Sequence, residues 1–267
     1  MTTTPAQTPH NPYDPAFFAQ LNEKTPRSAA IILDWLYRHY QSQSVVDVGC
    51  GQGVWLAAAE VQGASLLKGL DGHWVKPAQL ASQHIDFQAV DFEGELPSLS
   101  QTYDLCISLE VAEHISPARA TEFIQFLCQA ANVVLFSAAV KHQGGTNHIN
   151  EQWQSYWIER FDQNGYDCLD VIRPQIWQHP DVAWYYQQNM FLFVNRAQPP
   201  EQLAQLQALT QPIFDLAHPL SYETKVRMHQ KAVAYYEGLI AAPPLRFCLG
   251  CLKRWLLHKL GMGRAEP

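Results

Sequence analysis

Three side chains that can transfer protons or bind cations lie close together in the middle of the sequence. Glu110, Glu113 and His114 follow the apolar segment 103–109, whose composition predicts a buried strand. Glu110 would end that strand while Glu113 and His114 open a helix, so the three side chains can converge on one point. Two carboxylates beside an imidazole suit a divalent cation, which would also relieve the repulsion between the carboxylates. The cluster therefore predicts a metal site or a site of acid–base chemistry.

A turn rich in glycine occurs earlier in the sequence. The segment 44–48 is dominated by valine and predicts a strand that is buried on both faces. The turn that follows has three alternating glycines, which are Gly49, Gly51 and Gly53. Glycine permits a tight turn and lets backbone N–H groups approach a ligand without interference from a Cβ atom. We therefore predict a nucleotide-binding turn.

The class of nucleotide is predicted from two departures from the dinucleotide-binding pattern Gly-x-Gly-x-x-Gly. Gly53 comes one residue early, and Val54 occupies the position at which that pattern has glycine. Asp47 places a carboxylate directly before the turn, where it would repel a pyrophosphate and attract a cation. A ligand that carries an ammonium and a sulfonium group fits these features better than a dinucleotide does.

Further candidate ligand-binding residues follow at the ends of later predicted strands. Asp71 lies at the end of the segment 64–71, about 20 residues beyond the glycines, which is the usual spacing of a carboxylate that binds a ribose diol. Asp91 and Phe92 end a short alternating strand, and Leu109 ends the strand before Glu110. Ligands of open α/β sheets bind at the carboxyl ends of the strands. These residues are therefore predicted to share one site.

The order Asp-x-Gly-x-Gly-x-Gly at residues 47–53, with the later carboxylates, resembles the class I S-adenosylmethionine (SAM)-dependent methyltransferases. The resemblance covers residues 44–115 and implies a methyltransferase with SAM as its cofactor. It implies that Asp91 accepts a hydrogen bond from the adenine amino group, that Phe92 packs on the adenine ring, and that Leu109 borders the methionine end. The complete set of implied cofactor-binding residues is Asp47, Gly49, Gly51, Gly53, Asp71, Asp91, Phe92 and Leu109.

The Glu-x-x-Glu-His arrangement at residues 110–114 resembles metal-dependent O-methyltransferases, among them small-RNA 2′-O-methyltransferases and certain enzymes of quinone biosynthesis. The resemblance implies that His148 completes a site for a divalent cation such as Mg²⁺ with Glu110, Glu113 and His114. Such a cation could bind two oxygens of a vicinal diol and lower the pKa of the acceptor. The same motif also occurs in methyltransferases without a metal, in which the glutamates cap a helix. In that case His114 or His148 would be the catalytic base, since imidazole titrates near working pH.

Predicted strands alternate with predicted helices, which indicates an α/β fold with a mainly parallel sheet. The resemblance implies a Rossmann-like sheet of seven strands with the last strand antiparallel, helices on both faces, and a helical C-terminal tail. The main predicted helices are 15–22, 27–40, 54–62, 117–131 and 150–165, and the last strands are 166–176 and 190–195. Three domains are predicted: N-terminal helices that cover the cofactor site at 1–43, a methyltransferase core at 44–196, and a helical extension at 197–267.

Two polar and aromatic segments, 142–152 and 177–189, are predicted to build the acceptor site. The second of them contains Trp184, Tyr185, Tyr186 and Asn189. Aromatic, amide and imidazole groups suit a polyhydroxylated acceptor, and the resemblance is closest to bacterial methyltransferases of surface-polysaccharide or glycolipid assembly. We therefore expect O-methylation of a hydroxyl of a small molecule, a sugar or a glycan. The alternative is a SAM-binding partner or regulatory protein without catalysis, because a cofactor site alone does not prove catalysis.

Composition limits the location and the partners. The chain has 267 residues, 47% of them hydrophobic and 16% charged, with a net charge of −7, which is typical of a soluble globular protein and argues against a nucleic-acid partner. No secretory signal or membrane span is recognisable, so a cytoplasmic location is expected. The segment 245–260 mixes basic residues with Leu, Phe and Trp, as interfacial helices do, which suggests peripheral contact with the inner membrane face. A helix packed on the catalytic domain or on a dimer partner explains the segment equally well.

Overall fold

A computed structural model describes residues 24–210 and 215–260. Its strands are β1 (Ser44–Val48), β2 (Leu66–Asp71), β3 (Ile85–Ala89), β4 (Leu105–Leu109), β5 (Val133–Ser137), β6 (Tyr166–Leu169) and β7 (Phe191–Asn195). Its α-helices are α1 (Thr25–Tyr37), α2 (Val54–Val61), α3 (Ala120–Ala130), α4 (Gln154–Gln163), α5 (Arg173–Ile176), α6 (Trp184–Asn189), α7 (Ala204–Leu209), α8 (Pro219–Ala241) and α9 (Leu245–Lys259). The predicted helix 15–22 lies outside the described residues.

The seven strands form one sheet in the order β3-β2-β1-β4-β5-β7-β6. The strands β1 to β5 pair in parallel, whereas β7 runs antiparallel to both of its neighbours. The predicted Rossmann-like sheet with an antiparallel last strand is therefore confirmed. The chain order reverses between β1 and β4, and open α/β sheets bind their ligands at such a reversal.

The buried strands follow directly from their sequences. Every residue of β4 and β5 is buried, as expected for continuous apolar strands with both faces covered by helices. One face of the sheet packs on α1, which buries Ile32, Leu33 and Leu36 at helical spacing, and on α2. The opposite face packs on α3 and α4, with Phe123, Phe161 and Phe193 among its residues. This core fixes the carboxyl edge of the sheet.

Two predicted boundaries differ from the structure by four residues or more. The predicted strand 166–176 ends at Leu169 and is followed by the short helix α5, because Pro174 has no N–H to donate to a strand ladder. The apolar residues Val171, Ile172 and Ile176 that suggested a longer strand are buried in the core instead. The predicted helix 150–165 begins only at Gln154, because the N–H group of Asn150 donates to the carbonyl of Glu113 outside any helix.

The described residues divide into two compact units, one that ends at His218 and one that begins at Pro219. Leu203 and Leu206 belong to the core of the first unit, although both lie beyond residue 196. The predicted domain boundaries at 43 and 196 stay predictions. Within the described part of the chain, no helix combines the length and the apolar character needed to cross a membrane.

Candidate active site

A cavity of about 460 Å³ lies at the carboxyl edge of the sheet. Eight of the residues predicted for the site line it, and they are Gly49, Gly51, Asp71, Asp91, Phe92, Leu109, Glu110 and His114. The lining among the described residues does not include the other four, which are Asp47, Gly53, Glu113 and His148. The cavity thus joins the glycine turn after β1 to the acidic segment after β4.

The three glycines of the turn have different reasons to be glycine. All have positive φ angles, of 88°, 53° and 73° for Gly49, Gly51 and Gly53. A Cβ atom at Gly49 would lie 2.2 Å from a methyl group of Val111, and one at Gly53 would lie 2.5 Å from Ile85, so both glycines are required by packing. A Cβ atom at Gly51 would meet nothing within 4 Å. Gly51 therefore leaves space at the cavity wall that a ligand can use.

Asp71 joins the end of β2 to this turn. Its Oδ2 accepts a hydrogen bond from the N–H of Gly51 at 2.7 Å, and its Oδ1 accepts one from the N–H of Gly72 at 2.6 Å. Burial raises the pKa of the Asp71 carboxyl, and these two hydrogen bonds act against that rise. Each carboxylate oxygen has two lone pairs, so the side chain can order the turn and still accept bonds from a ligand at the cavity.

Asp47 lies deeper than the turn, in β1, and is 2% exposed. Its Oδ2 has no hydrogen-bond partner among the described residues. Burial, and then the negative charge of Asp71, raise the pKa of Asp47 well above its usual range. A buried carboxylate of this kind is costly without a compensating positive charge. A cationic ligand behind the turn would favour the ionised form of Asp47 and would in turn be favoured by it.

We expect the substitution Asp47→Asn to stabilise the ligand-free protein increasingly as the pH rises. The pKa of Asp47 is higher in the folded protein than in the unfolded chain, where it is about 3.9. The contribution of Asp47 to stability is therefore fully present below the unfolded pKa and is lost as the pH rises through the folded-state pKa. The amide of the variant does not titrate and would have no such pH dependence. The melting-temperature difference between variant and wild type should widen as the pH rises above about 4. Each kcal/mol is worth about 2–4 °C in a unit of this size.

The matched control for Asp47→Asn is Asp86→Asn, because the Asp86 side chain is 72% exposed on β3. This control should give a small difference that varies little with pH. A difference between Asp47→Asn and wild type that stays constant across the pH range would contradict the assignment of a raised pKa to Asp47.

The other predicted cofactor residues are accessible at the cavity. Asp91 is exposed, and its Oδ1 accepts a hydrogen bond from the N–H of Glu93 at 3.0 Å, which orders the turn after β3. Phe92 is half-buried and packs edge to face on Phe123 with the ring centroids 5.7 Å apart. Leu109 is 8% exposed and closes the wall at the end of β4. Polar and aromatic side chains thus alternate along the lining.

Glu110 is held by side-chain amides. Its Oε1 accepts a hydrogen bond from Asn189 Nδ2 at 3.2 Å, and its Oε2 accepts one from Gln143 Nε2 at 3.1 Å. Its backbone has a positive φ of 56° and donates to the carbonyl of Ser137 at 3.0 Å. A left-handed conformation is uncommon for a residue with a side chain and marks a constrained position. Burial raises the pKa of Glu110, although the bonds from Asn189, Ser137 and Gln143 act in the opposite direction.

A second group of side chains comes together beside Glu110. Glu113 and His114 lie in a 3₁₀ turn over Ala112–His114, and His148 lies in the loop after β5. The loop is held against the turn because the N–H groups of Ile149 and Asn150 both donate to the Glu113 carbonyl at 2.9 Å. One ligand atom from each of Glu113, His114 and His148 lies within 4.8 Å of the others. We call these three residues the carboxylate–histidine cluster.

The carboxylate–histidine cluster contains a fully buried acid. Glu113 is 0% exposed, and neither of its carboxylate oxygens has a hydrogen-bond partner among the described residues. Burial, and next the charge of Glu110, raise the pKa of Glu113 well above its usual range. A buried carboxylate normally has hydrogen-bond or cationic partners, so a cation would be a suitable partner for Glu113.

The two histidines of the cluster are oriented by other groups. His148 Nδ1 lies 2.8 Å from Glu151 Oε1, which leaves Nε2 to face Glu113 Oε1 at 3.9 Å. A carboxylate behind a histidine is the usual support of a metal-binding imidazole, since it fixes both tautomer and ring orientation. The His114 ring lies edge to face with that of His148, with centroids 4.9 Å apart. Burial, and then His148, lower the pKa of His114 to about 4, so its ring is neutral at neutral pH.

The roles of Gln143 and Gln188 in holding Glu110 were not predicted from the sequence. Gln143 Oε1 accepts hydrogen bonds from Gln188 Nε2 and from Asn189 Nδ2, both at 2.9 Å, and Gln188 is fully buried. The predicted acceptor residue Asn189 belongs to this network, whereas Tyr185 and Tyr186 line the cavity. The one available signal was the run of three amide side chains at 187–189 directly before an apolar strand.

The fold and this cavity define a Rossmann-like α/β protein with a glycine turn at the wall of a cavity. Residues 17–189, well over half of the chain, match a protein family described as methyltransferase domain. The chain therefore belongs to the methyltransferase domain family. No curated protein matches it.

Solved structures with a similar fold are numerous and distant in sequence. Magnesium protoporphyrin IX methyltransferase from Synechocystis PCC 6803, solved with bound SAH, is 18% identical over 67% of this chain and 87% of its own, with a TM-score of 0.51. Human N-acetylserotonin methyltransferase is 14% identical over 67% of this chain and 54% of its own, with a TM-score of 0.47. An O-methyltransferase family protein from Burkholderia thailandensis is 12% identical over 69% of this chain and 60% of its own, with a TM-score of 0.49. The likeness to the cyanobacterial enzyme shows the fold alone.

Proposed function

We propose that this protein is a SAM-dependent methyltransferase that methylates a hydroxyl group of a small molecule, a sugar or a glycan. The observation that carries the proposal is that one cavity is lined both by the glycine turn with Asp71 and by the acidic segment with Glu110 and His114. The first group suits a nucleoside cofactor and the second suits proton removal from an acceptor. The family match supports the transfer of a methyl group.

The residues present fit SAM. The open space at Gly51 admits a ligand against the backbone, and Asp71 presents a carboxylate for the ribose hydroxyls. Asp91 and Phe92 would hold the adenine, and Leu109 would border the methionine end. The cationic part of the cofactor would favour ionisation of the buried Asp47 carboxyl and would be stabilised by it. When bound, SAM supplies a methyl group on a sulfonium, and the protein must then position and deprotonate the acceptor.

The residues present also fit a divalent cation. Glu113, His114 and His148 would hold it, because the Glu113 oxygens have no side-chain donor among the described residues and the His148 ring is fixed by Glu151. Glu110 is the fourth residue of the proposed set, and its oxygens bond to Asn189 and Gln143. A cation here would lower the pKa of a bound hydroxyl. Two imidazoles in the set favour Mn²⁺ or Zn²⁺ at least as much as Mg²⁺.

The histidines would have a different role without a cation. His114 or His148 would then remove the acceptor proton as the catalytic base. A ring with a pKa of about 4 is neutral but weakly basic at neutral pH, which makes His114 a better ligand than base. The low pKa of His114 therefore favours the cation-assisted form of the proposal.

The acceptor is proposed from the cavity's remaining lining. Tyr185 and Tyr186 from α6 and Asn147 and Ile149 from the loop after β5 meet at the cavity, so both predicted acceptor segments contribute to it. Aromatic rings beside amide groups suit a polyhydroxylated molecule that stacks and accepts hydrogen bonds. A sugar hydroxyl is therefore the first acceptor class to test.

Calorimetric titration with SAM, SAH and NAD tests the cofactor. We expect wild type to bind SAM and SAH with micromolar affinity and to bind NAD at least about 100-fold more weakly, because a pyrophosphate beside the Asp47 carboxyl would oppose its ionisation. Gly51→Ala should lower SAM affinity at least about 10-fold, because its methyl group would occupy ligand space. The fold should survive, since nothing lies within 4 Å of that Cβ position.

Gly53→Ala is the matched control for Gly51→Ala. It places the same methyl group at the same turn, but against Ile85 at 2.5 Å, so it should lower the melting temperature more than Gly51→Ala does. Wild-type SAM affinity in Gly51→Ala would contradict the assigned cofactor position. Transfer of labelled methyl groups from SAM to a panel of sugars and small phenols then separates an enzyme from a SAM-binding partner protein without catalysis.

A further inference from the structure

The helix α9 in the second unit carries a row of exposed leucines. Five leucines repeat at intervals of four, three, four and four residues, and they are Leu245, Leu249, Leu252, Leu256 and Leu260. At 100° per residue they fall within an arc of about 80° on one side of the helix. Each of them is between 45% and 75% exposed. An exposed stripe of this kind marks a surface that binds a partner.

The charges beside the leucine stripe are all positive. Arg246 and Lys253 lie on one flank of the stripe and Lys259 lies on the other, as their spacing from the leucines requires. The segment 245–260 contains no aspartate or glutamate, although the whole chain has a net charge of −7. Trp255 is also on this helix and is 56% exposed. Long basic side chains on both flanks can reach lipid headgroups while the leucines enter the acyl region.

We propose that α9 binds the surface of an anionic lipid membrane and lies in the plane of its interface. A second copy of the chain is the less favourable occupant, because pairing two such stripes would bring the flanking cations of both copies together without an acidic partner on the helix. An anionic membrane instead complements those cations. The proposal concerns the second unit alone and is independent of the reaction of the first.

Vesicle flotation with the full-length protein tests the proposal. We expect binding to vesicles of phosphatidylglycerol and phosphatidylcholine, and at least about 100-fold weaker binding to phosphatidylcholine alone, since each of the three flanking cations contributes about 5-fold near an anionic surface. High salt should weaken the binding. The triple variant Arg246→Gln, Lys253→Gln and Lys259→Gln should lose at least about 100-fold in affinity for the anionic vesicles.

The leucine stripe is tested by Leu252→Glu with Leu256→Glu, which should abolish vesicle binding. The matched control is Val61→Glu on α2, a residue that is 83% exposed on the first unit, and it should bind vesicles like wild type. Unchanged SAM binding in every variant would show that the first unit is intact. Equal binding to both kinds of vesicle, no binding to either, or undiminished binding of the leucine variant would overturn the proposal. A dimer that depends on the leucines, in a protein that does not bind vesicles, would also overturn the proposal.

Discussion

Asp71→Ala is expected to lower SAM affinity at least about 100-fold. Hydrogen bonds to a charged group contribute about 1.5–3 kcal/mol each, so loss of two such bonds to a ribose diol costs about 3–6 kcal/mol. The same side chain accepts a bond from the N–H of Gly51, so the substitution also removes one constraint on the turn. Calorimetric titration with SAM measures the change. Asp71→Asn retains one acceptor oxygen and should have an intermediate effect.

Asp86→Ala is the control for Asp71→Ala, because Asp86 is the same residue type on the adjacent strand β3 and pairs with the exposed end of Lys68. It should bind SAM like wild type. The Asp71 variants should also be compared by their melting temperatures, since a general loss of folding would weaken binding for another reason. Full SAM affinity in a folded Asp71→Ala protein would be incompatible with a ribose-binding role.

The cofactor half of the cavity could be predicted closely from the sequence. Strand ends, glycine spacing and the distance from the glycines to Asp71 are local features, and parallel strands bring their carboxyl ends to one edge. Gly49, Gly51, Asp71 and Leu109 accordingly line one cavity. The different reasons for the three glycines could not be predicted, because they depend on contacts with Val111 and Ile85 from other strands and turns.

The acceptor half was less predictable because it depends on contacts between distant segments. Glu110 bonds to Gln143 and Asn189, which lie 33 and 79 residues further along the chain. The hydrophobic periodicity of the sequence does not predict such long-range pairs, and amide residues before an apolar strand are ordinarily assigned to a loop. The 3₁₀ turn over Ala112–His114 likewise replaces the predicted start of a helix at Glu113 and His114.

Glu113→Gln is expected to abolish divalent-cation binding while SAM binding remains. Glu113 supplies the one carboxylate of the carboxylate–histidine cluster, and an amide is a far weaker ligand of a divalent cation. Loss of a partner that merely orients a ligand costs about 10–100-fold in metal affinity, so loss of a ligand itself should cost at least about 100-fold. Titration with Mn²⁺, Zn²⁺ and Mg²⁺ measures this without knowledge of the acceptor. Methyl transfer to any acceptor that wild type accepts should fall by at least about the same factor.

The stability of Glu113→Gln separates a cation-binding role from a structural one. Because the carboxyl of Glu113 is fully buried with a raised pKa, its neutral replacement should leave the melting temperature at neutral pH unchanged or higher. If Glu113 instead capped a helix, the substitution would weaken that cap and the melting temperature would fall. Glu122→Gln is the same substitution at a half-exposed position on α3, and it should change neither the affinity for divalent cations nor the melting temperature. Wild-type Mn²⁺ affinity in Glu113→Gln would remove the carboxylate–histidine cluster from the mechanism and leave His114 or His148 to act as a base without a cation.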